Sequence, residues 1–374
     1  MYNDFTLLTD GKNAFPEIVN AIAAAQKSVH INMFIWRDDN VGNLLGETLL
    51  KAANRGVRVY ISVDRYGVVL EKAEESKKSF FHKKQSFTEK VKIKALECIY
   101  PMHGAPKKAT DEYTQLYTQM LAHPNITVSE NVFKADHSKF YVIDEKILFL
   151  GGINVEDKEN GKDMQGRTYQ DYMVKIVGDA HVAAFWAKLN RGENVAKGYF
   201  FGINRKTQTP PLWEMENVYL DMINGANKNL QITMAYFSPL KKFINAIVAA
   251  YKRGVKITVM IPSFANFQND TNRKTVKKLM KKTNDGITLY FSPKMVHTKM
   301  LIADEKISFG STNITKKAFC QLDELNLCIA NADCDFVETL RQSVEENYLL
   351  SQKITSYKQI KYNGLLAFLE GFLV

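Results

Sequence analysis

Two stretches of the chain carry a histidine, a lysine two residues on and an aspartate five residues after that. They are His137-Ser-Lys-Phe-Tyr-Val-Ile-Asp144 and His297-Thr-Lys-Met-Leu-Ile-Ala-Asp304. Each continues to a glycine-containing turn and an asparagine, Gly151-Gly-Ile-Asn154 and Gly310-Ser-Thr-Asn313. One match to so loose a pattern is weak. With 7 His, 50 Lys or Arg and 40 Asp or Glu in 374 residues, roughly 0.1 matches arise by chance. Two copies with the same follow-on spacing are specific. In extended backbone, positions i and i+2 share a face, so His137 projects with Lys139 and His297 with Lys299. Lysines neutralise phosphate oxygens, and the amides of Asn154 and Asn313 donate to charge building there. One imidazole can attack phosphorus while the other protonates the leaving oxygen. Asp144 and Asp304 stand at an odd offset from their lysines, which turns them to the opposite face as turn or ion-pair residues. His30, His82, His103, His123 and His181 read as hydrogen-bonded structural histidines.

The elements that must position these residues are also repeated. Ala52-Ala-Asn-Arg-Gly-Val-Arg-Val-Tyr-Ile matches Ala250-Tyr-Lys-Arg-Gly-Val-Lys-Ile-Thr-Val. A strand-like run precedes each, Val29–Trp36 and Leu230–Phe237, and an amphipathic helix precedes each run, over Pro16–Lys27 and Trp213–Asn227. A further helix, over Leu44–Asn54 or Leu240–Lys252, ends at a capping glycine. Helix–strand–helix–strand, twice, predicts an α/β fold with helix-covered sheets. The halves join near 191–211, giving expected domains of 1–206 and 207–374. Val57 to His137 is 80 residues but Val255 to His297 is 42, so the first half holds a polar insert within 71–121. It reads as a surface excursion: a lid, a membrane-touching element or a solvated insert.

The composition, 45% hydrophobic and 24% charged, suits a globular protein with a substantial core and excludes disordered, collagen-like and disulfide-dense classes. No apolar run reaches the ~18 residues of a membrane-spanning helix, and the start lacks the pattern of a signal peptide. Cys98, Cys320, Cys328 and Cys334 form no CxxC pair and read as reduced, inert packing residues. The formal net charge is +10, and residues 239–284 hold eleven Lys or Arg against one acid, Asp270. That window accounts for the whole excess. It lies just ahead of His297, which places its charge near the rim of a phosphate site and suggests an anionic partner.

The duplicated His-x-Lys-x4-Asp pattern resembles the signature of the phospholipase D superfamily. Within it the chain is similar to bacterial cardiolipin synthases: in Leu8–Phe15, in the run from the first Arg-Gly-Val to Asp64 and Gly67, in Tyr236-Phe-Ser-Pro239 and in the apolar ending Leu365–Val374. The resemblance implies two similar halves, each a mixed sheet flanked by helices, with the active site at a pseudo-two-fold interface. It implies a two-step reaction through a phosphohistidine, with His137 as nucleophile and His297 as acid and then base. Lys139, Lys299, Asn154, Asn313 and Ser311 would hold the phosphate. Asp171 and Glu324, 25–35 residues after the histidines, would support the imidazoles. Gly152 stands where the family commonly has Ser, Tyr169-Gln170 replace a Trp-Arg pair, and Ile314-Thr-Lys-Lys-Ala318 replaces an Asp-x-Arg-Ser stretch.

The resulting expectation is a phosphatidyltransferase that moves a phosphatidyl group between phosphatidylglycerol molecules, cytoplasmic and peripherally bound to the membrane, with an anionic phospholipid as partner. No cofactor or metal is expected, since lysines and imidazoles supply the electrostatics. Hydrolysis of phospholipid by the same site is the alternative. A nuclease is less favoured, because small superfamily nucleases carry one motif and dimerise. The final Leu365, Phe368, Leu369, Phe372 stripe has helical spacing and suits either an interface or the protein's own core.

Overall fold

A computed structural model describes residues 4–74, 79–81, 85–100, 115–129, 135–163, 166–194, 196–206, 208–330 and 334–371. The chain divides into two compact units, Asp4–Ala187 and Lys188–Val374. The first holds a seven-stranded mixed sheet in the order Phe5–Thr9, Tyr172–Val177, Ile147–Gly151, Phe140–Ile143, Ser28–Met33, Arg58–Val63, Ile126–Ser129. The last three strands run parallel and the others pair antiparallel. The second unit repeats this order with Tyr199–Arg205, Glu324–Ile329, Lys306–Gly310, Lys299–Ala303, Asn229–Met234, Lys256–Pro262 and Thr288–Ser292, and adds a short strand at each edge. Each unit has its own core, one around Ile31, Leu49, Tyr141 and Phe149, the other around Ile232, Ile247, Val259 and Leu301. The chain is thus mixed α/β with two similar halves.

The division falls ahead of the expected junction at 206/207. Strand Tyr199–Arg205 hydrogen-bonds along its length to Glu324–Ile329, as Phe5–Thr9 does to Tyr172–Val177. It is the first strand of the second half, not the end of the first.

Helices Asn40–Asn54 and Lys241–Lys252 end at the two Arg-Gly-Val copies, where Gly56 (φ +97°) and Gly254 (φ +90°) take the left-handed conformation that favours glycine. The preceding arginines have an equal role in both halves. Arg55 Nη2 donates to the carbonyls of Ala23 (2.7 Å) and Ala25 (3.3 Å), and Arg253 Nη2 to those of Asn224 (2.9 Å) and Ala226 (3.0 Å). Each caps the carbonyl end of the neighbouring helix, Asp10–Ala24 or Met215–Gly225. The first of these helices starts six residues before Pro16, which lies inside it, and it stops short of Lys27. Its end is set by Asp144, whose carboxylate takes the N–H groups of Gln26, Lys27 and Ser28.

The 71–121 insert is not simply a solvated excursion. It includes helices Phe87–Ile99 and Gln115–Ala122. Phe80, Phe81, Tyr117 and Met120 join the first core, with Phe80 and Phe81 ring centroids 5.7 and 5.3 Å from Trp36. Lys77, Lys78, Lys83 and Lys84 of its basic stretch lie outside the described residues. Cys328 is buried, but Cys98 and Cys320 are exposed, so they are not packing residues. Among the described residues no helix is long and apolar enough to cross a membrane.

Candidate active site

The two motifs adopt the same local structure, one in each unit. His137 and His297 lie just ahead of strands Phe140–Ile143 and Lys299–Ala303, and both are buried. Lys139 and Lys299 are fully buried, and each Nζ donates to the carbonyl of its own histidine. A buried ammonium needs such acceptors. Phe34 meets the His137 ring edge-on at 4.7 Å and lies 5.0 Å below the Lys139 ammonium. Tyr236 stands edge-on to His297 at 6.5 Å.

Asn154 and Asn313 follow the next strand in each unit and are also buried. Asn313 Oδ1 accepts the Tyr236 N–H at 3.2 Å, whereas Asn154 Oδ1 has no hydrogen-bond partner among the described residues. Asp171 and Glu324 take matching places one strand further on. Gly151 pairs with Met173 and Gly310 with Asn326, each two residues past the acid. Ser311, expected to contact phosphate, has its hydroxyl committed elsewhere. It donates to Glu324 Oε2 and accepts the Leu325 N–H at 2.9 Å. Its counterpart Gly152 leaves room for the shorter acid, since a Cβ there would fall 2.2 Å from Asp171 Oδ2.

Asp144 and Asp304 serve the turns. Three backbone N–H groups donate to each: those of Gln26, Lys27 and Ser28 at 2.7–3.0 Å, and those of Asn227, Lys228 and Asn229 at 2.8–2.9 Å. Partial burial raises each carboxyl's pKa, but the backbone donors outweigh it and hold both below the ordinary value.

Several supporting residues lie outside the duplicated motifs. Asp64 Oδ1 caps helix Arg65–Ala73 through the Tyr66 N–H (2.7 Å), and its Oδ2 takes the Asp136 N–H (2.8 Å). Asp136 in turn accepts the N–H and hydroxyl of Ser138. The backbone around His137 is thereby tied to the end of strand Arg58–Val63. Burial, with the nearby Asp136 charge, pushes Asp64 up to about 6. Beyond Asn154, Arg37 pairs with Glu156 (2.6 Å) and Glu74, and Lys158 joins both acids. In the second unit, Asn272 holds the Ala235–Phe237 segment, accepting the Phe237 N–H (2.7 Å) and donating to the Ala235 carbonyl (2.8 Å). Tyr236 also donates its hydroxyl to Asn266 (2.8 Å).

The lone histidines sit in ordinary structural settings. His30 stacks on Tyr60 at 4.6 Å, His123 bonds Asn54 and Asn125, and His181 meets Phe5 edge-on. His82 and His103 lie outside the described residues.

This duplicated geometry has clear relatives. The family model described as "Cardiolipin synthase, PLD-like domain" matches residues 18–191 and 219–348. The chain belongs to that family. Cardiolipin synthase 2 of Staphylococcus epidermidis is 28% identical over 391 residues, covering 99% of this chain and 73% of that protein. A cardiolipin synthase of Clostridium perfringens is 26% identical, covering 94% and 71%. The crystal structure of a phosphatidylserine synthase from Haemophilus influenzae matches 99% of the chain and 92% of its own with a TM-score of 0.72. At 11% identity, that likeness shows the fold.

Proposed function

We propose that this chain is a phosphatidyltransferase of the cardiolipin synthase type, joining two phosphatidylglycerol molecules into cardiolipin and releasing glycerol. The observation that carries the reading is the duplicated site: in each half a buried histidine, a buried lysine on its carbonyl, an asparagine and a buried acid occupy matching positions. It is supported by similarity to cardiolipin synthases over nearly the whole chain.

His137 attacks the phosphorus of one phosphatidylglycerol. The bond from phosphorus to the headgroup glycerol breaks, and His297 gives that oxygen a proton. His297 then takes the proton of a hydroxyl on a second phosphatidylglycerol. This oxygen attacks phosphorus, breaks the phosphorus–nitrogen bond and regenerates His137. Lys139, Lys299, Asn154 and Asn313 stabilise the charged phosphoryl oxygens. Asp171 and Glu324 supply carboxylates that support the imidazolium forms. The chain works as a peripheral protein on the cytoplasmic membrane face.

The test is product analysis on phosphatidylglycerol vesicles. Wild type is expected to release one glycerol per cardiolipin, and His137→Ala and His297→Ala each to lose activity by about 10³-fold or more. Phosphatidic acid in place of cardiolipin would make the enzyme a hydrolase. Substrate radiolabelled in the phosphatidyl group should mark His137 covalently in the His297→Ala variant. Label on His297 in the converse variant alone would reverse the roles.

A further inference from the structure

The last described helix, Gly364–Gly371, turns two of its four large apolar side chains outward, while Leu366 and Leu369 are half-buried. It buries Ala367 and Glu370 and leaves Leu365 68% and Phe368 58% exposed. A helix held only by packing would turn its large apolar side chains inward. Here docking is polar. Glu370 Oε2 accepts the Thr271 N–H (2.7 Å), and Thr271 Oγ1 donates to the Ala367 carbonyl (3.2 Å). Asp270 Oδ1 accepts the Asn363 N–H, and Asn363 Oδ1 in turn takes the Leu365 N–H (2.9 Å). Thr271 belongs to the first turn of helix Asn269–Lys282, whose N-cap residue Gln268 supplies no side-chain cap. Glu370 therefore satisfies a donor that the helix start leaves open. The contact fixes which face of the terminal helix looks outward.

Two further exposed apolar side chains stand on neighbouring segments. Phe264 is 51% and Tyr362 38% exposed. Arg273 joins their segments, donating to the carbonyls of Ser263 and Lys361. Exposed Lys274 and Lys278 follow Thr271 at i+3 and i+7, on the face where the terminal helix docks. Exposed Lys361 adjoins Tyr362. The loop that carries Phe264 also reaches the second motif, because Asn266 takes the hydroxyl of Tyr236, the ring beside His297.

We propose that Phe264, Tyr362, Leu365 and Phe368, rimmed by Lys274, Lys278 and Lys361, form the face on which this protein docks to an anionic bilayer. The apolar side chains enter the headgroup–acyl boundary, the aromatic Tyr362 sits at its level, and the lysines meet the lipid phosphates. Charge complementarity selects this partner over an uncharged surface. The inference takes its lipid partner from the function proposed above, but its test reads binding, not turnover.

The experiment measures sedimentation of the full chain with vesicles of phosphatidylglycerol and phosphatidylcholine, and with phosphatidylcholine alone. Wild type is expected to partition onto the anionic vesicles, and Leu365→Ser/Phe368→Ser to lose about tenfold or more of that affinity. Phe87→Ser, which removes an 81% exposed phenylalanine on the first unit, should lose none. Unchanged melting temperatures establish that both variants fold. Turnover of a short-chain, monomeric phosphatidylglycerol should stay within about twofold of wild type in the double variant, since its substrate needs no bilayer. Equal partition of wild type and double variant, or no preference for anionic vesicles, overturns the proposal. So does a wild-type dimer that the double variant dissolves, for then a second copy covers the face. Stripe-dependent binding without cardiolipin formation would leave the docking face standing and remove the catalytic reading. Cardiolipin formation with stripe-independent binding would do the reverse.

Discussion

At position 152 a Cβ would meet both carboxylate oxygens of Asp171, at 2.2 and 2.6 Å. The other half solves the same packing problem with Ser311 hydrogen-bonded to the longer Glu324. Glycine with aspartate and serine with glutamate are thus two matched pairs, each placing a buried carboxylate beside the motif turn. From sequence, Gly152 looked like a lost serine, and only the register of the neighbouring strand shows it matched to its acid. Gly152→Ser alone should displace Asp171 and lower kcat by about 10-fold or more, while Gly152→Ser with Asp171→Glu should recover much of the loss. A double-mutant cycle in kcat with a coupling of about 1 kcal/mol or more is expected. Strict additivity would show that the two positions act independently.

The strand–turn–helix units explain what could be read ahead of the structure and what could not. Both motifs, the Arg-Gly-Val repeat and the helices that end at it were legible because local periodicity and glycine conformation set them. The place of strand Tyr199–Arg205 was not, because it depends on pairing with Glu324–Ile329 more than a hundred residues away. Asp64 stood out only as part of a family-like run, and its bond to the Asp136 N–H, like the roles of Asp136 and Asn272, was invisible, since an isolated polar residue acquires meaning only from the backbone it bonds. The motif aspartates act at this scale, each fastening a hairpin turn to the start of the neighbouring strand. Their folded pKa values lie below the ordinary 3.8. The unfolded chain therefore takes up protons first as pH falls. Their stabilisation is present in full above the ordinary carboxylate range and is lost as pH drops through the folded values. Asp144→Asn or Asp304→Asn should cost about 1 kcal/mol at neutral pH. In denaturant titrations, the variant should also show a shallower loss of stability between about pH 5 and pH 3.

Over the whole molecule, the +10 excess belongs to one unit. Residues 4–187 hold 24 Lys or Arg and 24 Asp or Glu, whereas residues 188–374 hold 26 and 16. Nine of the eleven basic residues in the 239–284 window are exposed, and Arg273 and Lys277 are half-buried. They do not simply rim the second motif. Asn272, near the start of helix Asn269–Lys282, reaches the segment beside His297, while Lys281 lies nine residues on, about 13 Å along the axis. Six of the eleven, from Arg273 to Lys282, lead outward along this helix, on which the terminal helix docks, and the other five lie on or just after helix Lys241–Lys252. Each basic residue near an anionic surface contributes ~1 kcal/mol, screened over about 10 Å at 0.1 M salt and about 3 Å at 1 M. Lys274→Glu/Lys278→Glu should therefore weaken adsorption to anionic vesicles by about tenfold or more. The equally exposed pair Lys90→Glu/Lys94→Glu, in the neutral unit, should change it by less than about twofold. In 1 M salt the difference between the two double variants should disappear, while the loss caused by Leu365→Ser/Phe368→Ser persists, because apolar insertion is not screened. Equal effects of the two charge reversals would mean that the membrane responds to net charge alone and not to this face.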